Sequence, residues 1–205
     1  MRRILIPLAL LLALSQGAVA AARTFVIQPG KAWNQVTFHS EATVESFDGK
    51  TRQVSGQLTV DPEALGQGSS AWFQVELKSL DTGMSLRNKH MRENHLHTDK
   101  YPLTRFELRS LSVPVAALAP GKTTRVTASG EYSLHGVTRP RTLPVDVTWF
   151  PDGSQTPAKA RGPVLHVVCR YDVGLAEHGI PRPEFLFMKV AEQMQVTVDL
   201  WAVVE

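Results

Sequence analysis

Three histidines crowd one stretch of this 205-residue chain, and they are the first residues that suggest chemistry. His90, His95 and His97, with Glu93 and Asp99 beside them, are types that bind divalent metals. Their spacing argues against it. Zinc helices set their ligands three or four residues apart, whereas His90 and His95 are five apart and leave a common face. The preferred reading is a solvated polar helix whose Arg87, Lys89, Arg92 and Glu93 face water or pair at short spacing, with no metal and no other cofactor. Arg87 and Arg92 offer a different chemistry, bidentate hydrogen bonding to an anionic group at a rim. The single cysteine, Cys169, cannot form an internal disulfide and falls in phase with apolar neighbours, which makes it a buried small hydrophobe. No G-x-S-x-G turn, P-loop, dinucleotide fingerprint or haem-attachment motif occurs. No catalytic residue is predicted.

The elements that must position these residues are strands. From residue 24 onward apolar and polar side chains alternate, the two-residue period of a strand with one buried face. Val36 and Phe38 are in phase with Ala42 and Val44; further faces are Val54, Leu58 and Val60, then Phe73, Val75 and Leu77, then Phe106 and Leu108. The later half continues with Val126, Ala128, Tyr132 and Leu134, with Leu143, Val145, Val147 and Trp149, and with Leu165, Val167, Cys169, Tyr171 and Val173. Met194, Val196, Val198 and Leu200 close the series. About eight strands emerge, with turn formers between them at Asp48-Gly49, Asp61-Pro62, Pro120-Gly121, His135-Gly136 and Asp152-Gly153. Residues 153–163 read as a mobile loop. Only residues 81–96 break the alternation, and their composition predicts one surface helix capped by Ser85. Many half-buried strands and a single helix predict a mostly β, single-domain fold, an antiparallel barrel plugged or capped by that helix, since closure removes exposed strand edges.

The N-terminus predicts export. Arg2 and Arg3, an apolar run over residues 4–14 and the small-x-small triplet Ala18-Val19-Ala20 read as a secretory signal peptide spanning residues 1–20. The run is shorter than the ~20 residues a transmembrane helix needs, so no membrane span is predicted in the mature domain, residues 21–205. Losing Arg2 and Arg3 brings the formal charge from +3 to about +1, which argues against a nucleic-acid partner.

Four stretches, VTFHSEATVESFDG, SLDTGMSLRNKHMRENHLHTDKYPLTRFEL, GEYSLHGVTRPRTLPV and GIPRPEFLFMKVAEQMQVTVDL, together resemble the YceI-like family of bacterial lipid- and polyisoprenoid-binding proteins, in that family's order. The resemblance implies a lipocalin-like barrel, periplasmic or secreted, that holds a polyisoprenoid or other long-chain lipid and carries no catalytic residues. The ligand-binding residues expected on that basis are Phe38, Phe73, Val75, Leu77, Phe106, Leu108, Tyr132, Leu134 and Val145, with Phe185 and Phe187 at or near the entrance. Alternation reports burial and not a void, so a packed barrel serving as an envelope stress or interaction protein stays open, as does an enzyme acting on an isoprenoid lipid through the histidines. Transient membrane contact and a homodimer stay open as well.

Overall fold

The computed structural model describes residues 22–41, 46–66, 68–182, 184–185 and 188–205. The signal peptide expected at residues 1–20, Ala42, Val44 and Phe187 lie outside the described residues, as does the side chain of Phe185. The strands are β1 (Arg23–Ile27), β2 (Gln35–Ser40), β3 (Phe47–Thr51), β4 (Val54–Val60), β5 (Ser70–Glu76), β6 (Leu103–Ser112), β7 (Thr123–Leu134), β8 (Val137–Phe150), β9 (Val164–Gly174), β10 (Glu184–Phe185), β11 (Met188–Lys189) and β12 (Gln193–Val204). The helix α1 (Ser85–His90) lies between β5 and β6.

Eight strands close into an antiparallel barrel in the order β1-β4-β5-β6-β7-β8-β9-β12, and the β12–β1 pairing completes the ring. β12 serves two partners along the same edge. Its first half pairs with β2 from Gln195 to Asp199, and its end pairs with β1 at Val203 and Val204. In the gap between them the Trp201 N–H donates to the side-chain oxygen of Asn34 at 2.8 Å, while the Asn34 amide donates to the Gln28 carbonyl at 3.2 Å. Asn34 is fully buried and stands in for the missing strand backbone.

The turn chemistry is local. β7 and β8 are joined by His135 and Gly136, both at positive φ (53° and 77°), the backbone a tight two-residue hairpin needs. Asp48-Gly49 departs from expectation: it lies inside β3, where Gly49 pairs with Phe38 of β2 and the Phe38 ring lies across the glycine. A turn signal is overridden here because a side chain needs the space a Cβ would occupy. Residues 153–163 fold back on themselves, with the Gly153 N–H donating to the Gly162 carbonyl and Thr156 and Ala158 buried.

Two apolar clusters occupy the ends of the barrel. At one end the segments 61–66 and 113–122 zip together through Leu65 N–H to Ala116 C=O and Leu118 N–H to Pro62 C=O, burying Leu65 and Leu118 as a floor. At the other, Leu77, Leu80, Leu96, Leu175 and Ile180 gather under the helical segment.

Candidate functional site: an apolar cavity under a helical cap

Between those clusters runs a cavity of about 580 Å³, within the ~300–1,000 Å³ range of small-molecule sites. Its wall is almost wholly apolar. Phe38, Phe73, Val75, Leu77, Phe106, Leu108, Tyr132, Leu134 and Val145 all line it. So do Val167, Cys169, Val196 and Val198 from the same inward phases, and Leu65, Leu118, Leu175 and Ile180, which sit in loops where no periodicity marks them. Trp149 is buried in the core but does not line the cavity.

The interior stays open because its bulky rings lie against the wall. Phe73 packs over Gly56 of the neighbouring strand, and Phe106 covers Gly130, as Phe38 covers Gly49. A Cβ at Gly56 or Gly130 would also strike backbone oxygens, of Trp72 and Glu107 respectively. The small residues therefore do not form the channel themselves. They let aromatic rings settle close against the sheet, in the space a Cβ would fill.

The deep polar groups are few. Tyr132 and Tyr171 meet edge-to-face with ring centroids 5.9 Å apart, and the nearby Thr104 hydroxyl donates to the Ser133 carbonyl at 2.9 Å. Burial pushes both phenols above their ordinary range, Tyr171 the further, so both stay neutral. The Cys169 thiol donates to the Pro144 carbonyl at 3.3 Å, and burial pushes its pKa up to about 11. Iodoacetamide at pH 7.5 should therefore modify the native protein roughly 100-fold more slowly than the unfolded chain, because only the thiolate reacts. Mass spectrometry over a time course checks this, and equal rates would mean Cys169 is not buried.

The cap starts one residue earlier than the sequence suggests. Met84, not Ser85, occupies the position before the first helical turn, with no side-chain cap. The entry is held from inside the helix. The Asn88 oxygen accepts both the Thr82 N–H (2.8 Å) and the Thr82 hydroxyl (2.7 Å), and its amide donates to Asp81 at 2.7 Å. That contact, first among several, holds the Asp81 carboxyl below its usual range. After His90 the chain continues in a wider helical turn, Met91–His95.

Arg87 and Arg92 brace this cap. Arg87 donates to the Thr82 hydroxyl and carbonyl at 2.9 and 2.8 Å and stacks over Phe47 at 4.2 Å, while Arg92 donates to the Leu80 carbonyl at 3.0 Å. Farther round the barrel, Arg139 and Arg141 grip the loop after β9 through the Glu177 carbonyl (2.7 Å) and carboxylate (2.8 Å).

The clustered histidines separate to different tasks. His90 lines the cavity mouth. His95 donates from Nδ1 to the Pro181 carbonyl at 3.1 Å, and burial lowers its pKa. His97 turns to His135, with Nδ1 and Nε2 2.8 Å apart, while His135 Nδ1 donates to the His178 carbonyl at 3.0 Å. With the His135 proton on Nδ1, its Nε2 accepts from the His97 Nδ1–H. His178 is buried beside Tyr132, and burial lowers its pKa too. These contacts tie the cap to the β7–β8 turn and to the loop after β9. Among the described residues no three His, Cys, Asp or Glu side chains converge as a metal site would require.

Known structures share this architecture. A crystal structure of BcnA from Burkholderia cenocepacia is similar with a TM-score of 0.64 at 18% identity, over 83% of this chain and 96% of that one. A polyisoprenoid-binding domain from Saccharophagus degradans, implicated in plant cell wall breakdown, matches with a TM-score of 0.65 at 16% identity, over 90% and 99% of the two chains. A YceI protein from Campylobacter jejuni matches with a TM-score of 0.59 at 10% identity, over 77% and 84%. At such identities these likenesses speak for the fold. No curated protein matches the sequence. The family model for the YceI-like domain matches residues 25–202, nearly the whole barrel, and the chain belongs to that family.

Proposed function

We propose that this protein is a carrier for a polyisoprenoid or similar long-chain lipid, exported to the periplasm or beyond the cell. The observation that carries the reading is the deep, almost wholly apolar cavity along the barrel axis, open at the rim around α1. A long hydrocarbon chain is what such a space excludes water for. Each methylene buried there contributes about 0.8 kcal/mol, so a chain of a few isoprene units binds strongly without a charged anchor. The expected ligand-binding residues Phe38, Phe73, Val75, Leu77, Phe106, Leu108, Tyr132, Leu134 and Val145 take this role as wall contacts. The tyrosine pair offers neutral hydrogen-bonding groups within the wall, suited to an uncharged polar end. Membership of a family with a polyisoprenoid-binding structural neighbour supports the choice of lipid, and the signal-like residues 1–20 support export. The reading invokes no step of covalent chemistry.

Native mass spectrometry of the purified protein tests both parts. The expected result is one lipid per chain and a polypeptide mass that begins at Ala21. A protein that is empty and takes up no added polyprenol would overturn the carrier reading, and an intact N-terminus in the envelope fraction would overturn cleavage.

A further inference from the structure

We propose that the rim around α1 docks on an anionic lipid bilayer, with Met84 and Leu86 entering the membrane while neighbouring basic residues meet its head groups. This deepens the carrier reading and rests on it for the cargo, but its observations are separate. Met84 and Leu86 are 51% and 66% exposed, the two most exposed large hydrophobic side chains among the described residues. Both also line the cavity. The apolar surface is therefore continuous from solvent to the barrel interior, and it crosses the rim at these two residues.

Charge selects the occupant. Over residues 78–100, Lys78, Arg87, Lys89, Arg92 and Lys100 outnumber Asp81, Glu93 and Asp99. Lys78 and Asp99 pair with each other at 3.6 Å, and Arg92 is hydrogen-bonded to the neutral Leu80 carbonyl, a bond that leaves its positive charge in place. Lys89 is exposed on the same turn as Leu86. Exposed apolar side chains flanked by basic ones are the composition that binds at an anionic membrane interface. A bilayer is also the phase in which a long-chain lipid resides. Docking with the mouth inserted would let the chain slide between membrane and barrel without crossing water, which removes the methylene-by-methylene cost of exposure.

The test places a fluorophore at the rim. Leu86→Cys and, at the far end of the barrel, Val115→Cys (native Val115 is 44% exposed) are each labelled with an environment-sensitive NBD maleimide. Buried Cys169 stays unlabelled in the native protein. With vesicles containing about one third phosphatidylglycerol in phosphatidylcholine, the label at position 86 should shift to the blue and brighten, and the label at 115 should not. Vesicles of phosphatidylcholine alone should give a much weaker response. The double variant Met84→Ser, Leu86→Ser should sediment with anionic vesicles about tenfold less than the unsubstituted protein while keeping the same bound lipid by mass spectrometry. No response at position 86, an equal one at 115, or an equal one on neutral vesicles overturns the proposal, as does undiminished sedimentation of the double variant. A protein that holds lipid and ignores vesicles sinks docking and leaves the carrier reading standing. One that docks through Leu86 yet never holds lipid does the reverse.

Discussion

Placing phenylalanine at both Val75 and Val145 should strip the protein of lipid and leave it folded. Val75 on β5 and Val145 on β8 are partly buried and line the cavity from different strands. Added rings there have an existing void to enter. In a close-packed core each such enlargement costs roughly 1–3 kcal/mol, so a double variant with stability within about 1 kcal/mol of the parent shows that space was present. The ligand bears the loss instead. Displacing two or three methylenes from the cavity forfeits about 1.6–2.4 kcal/mol, roughly 10- to 50-fold in affinity. Urea unfolding and quantitative lipid extraction on the same samples check both halves. Retention of lipid at parental levels would place the ligand elsewhere than the barrel axis. Strong destabilisation would mean that these walls already meet across the middle.

The second large effect concerns a residue far from any ligand. Asn34→Ala should destabilise the protein by about 2–3 kcal/mol, because it removes the acceptor of the Trp201 N–H and leaves a buried donor without a partner. The same truncation frees the Gln28 carbonyl that Asn34 now satisfies. These bonds seal the place where β12 passes from β2 to β1, so the loss falls on barrel closure. A fall in the urea midpoint with an unchanged denaturant slope is the expected signature, since the surface exposed on unfolding stays the same. If the midpoint holds, Trp201 has another acceptor and Asn34 is not the seal.

Much of this molecule was legible from alternation. β4 buries Val54, Leu58 and Val60 on one face, and the inward phases of β7, β9 and β12 lie where the two-residue period puts them. Period failed where the backbone changes step. The bulge between Leu108 and Ser110 in β6 resets the phase, so Leu111 turns inward although Ser110 would continue the count. It also missed β1, whose five residues bury Phe25 and Ile27 too briefly to register as a run. The floor residues Leu65 and Leu118 escaped for a related reason: a loop side chain is buried by what lies opposite it, not by local period.

The candidate site divides along the same line. The sequence by itself determined most of the strand side chains that would leave water, because hydropathy and strand period are properties of neighbouring residues. It also determined the family likeness and the single helical interruption, where sparse apolar residues cannot sustain a strand. Only the tertiary structure decided that the buried faces enclose a space. Whether opposing walls meet depends on where rings pack across neighbouring strands, and here Phe38, Phe73 and Phe106 crowd the Cβ positions of Gly49, Gly56 and Gly130. Only the fold, too, turned Arg87 and Arg92 into braces of the cap and sent His95 and His97 to separate partners while His90 stayed at the cavity. Hydrogen-bond partners are chosen by three-dimensional proximity, which spacing along the chain does not encode.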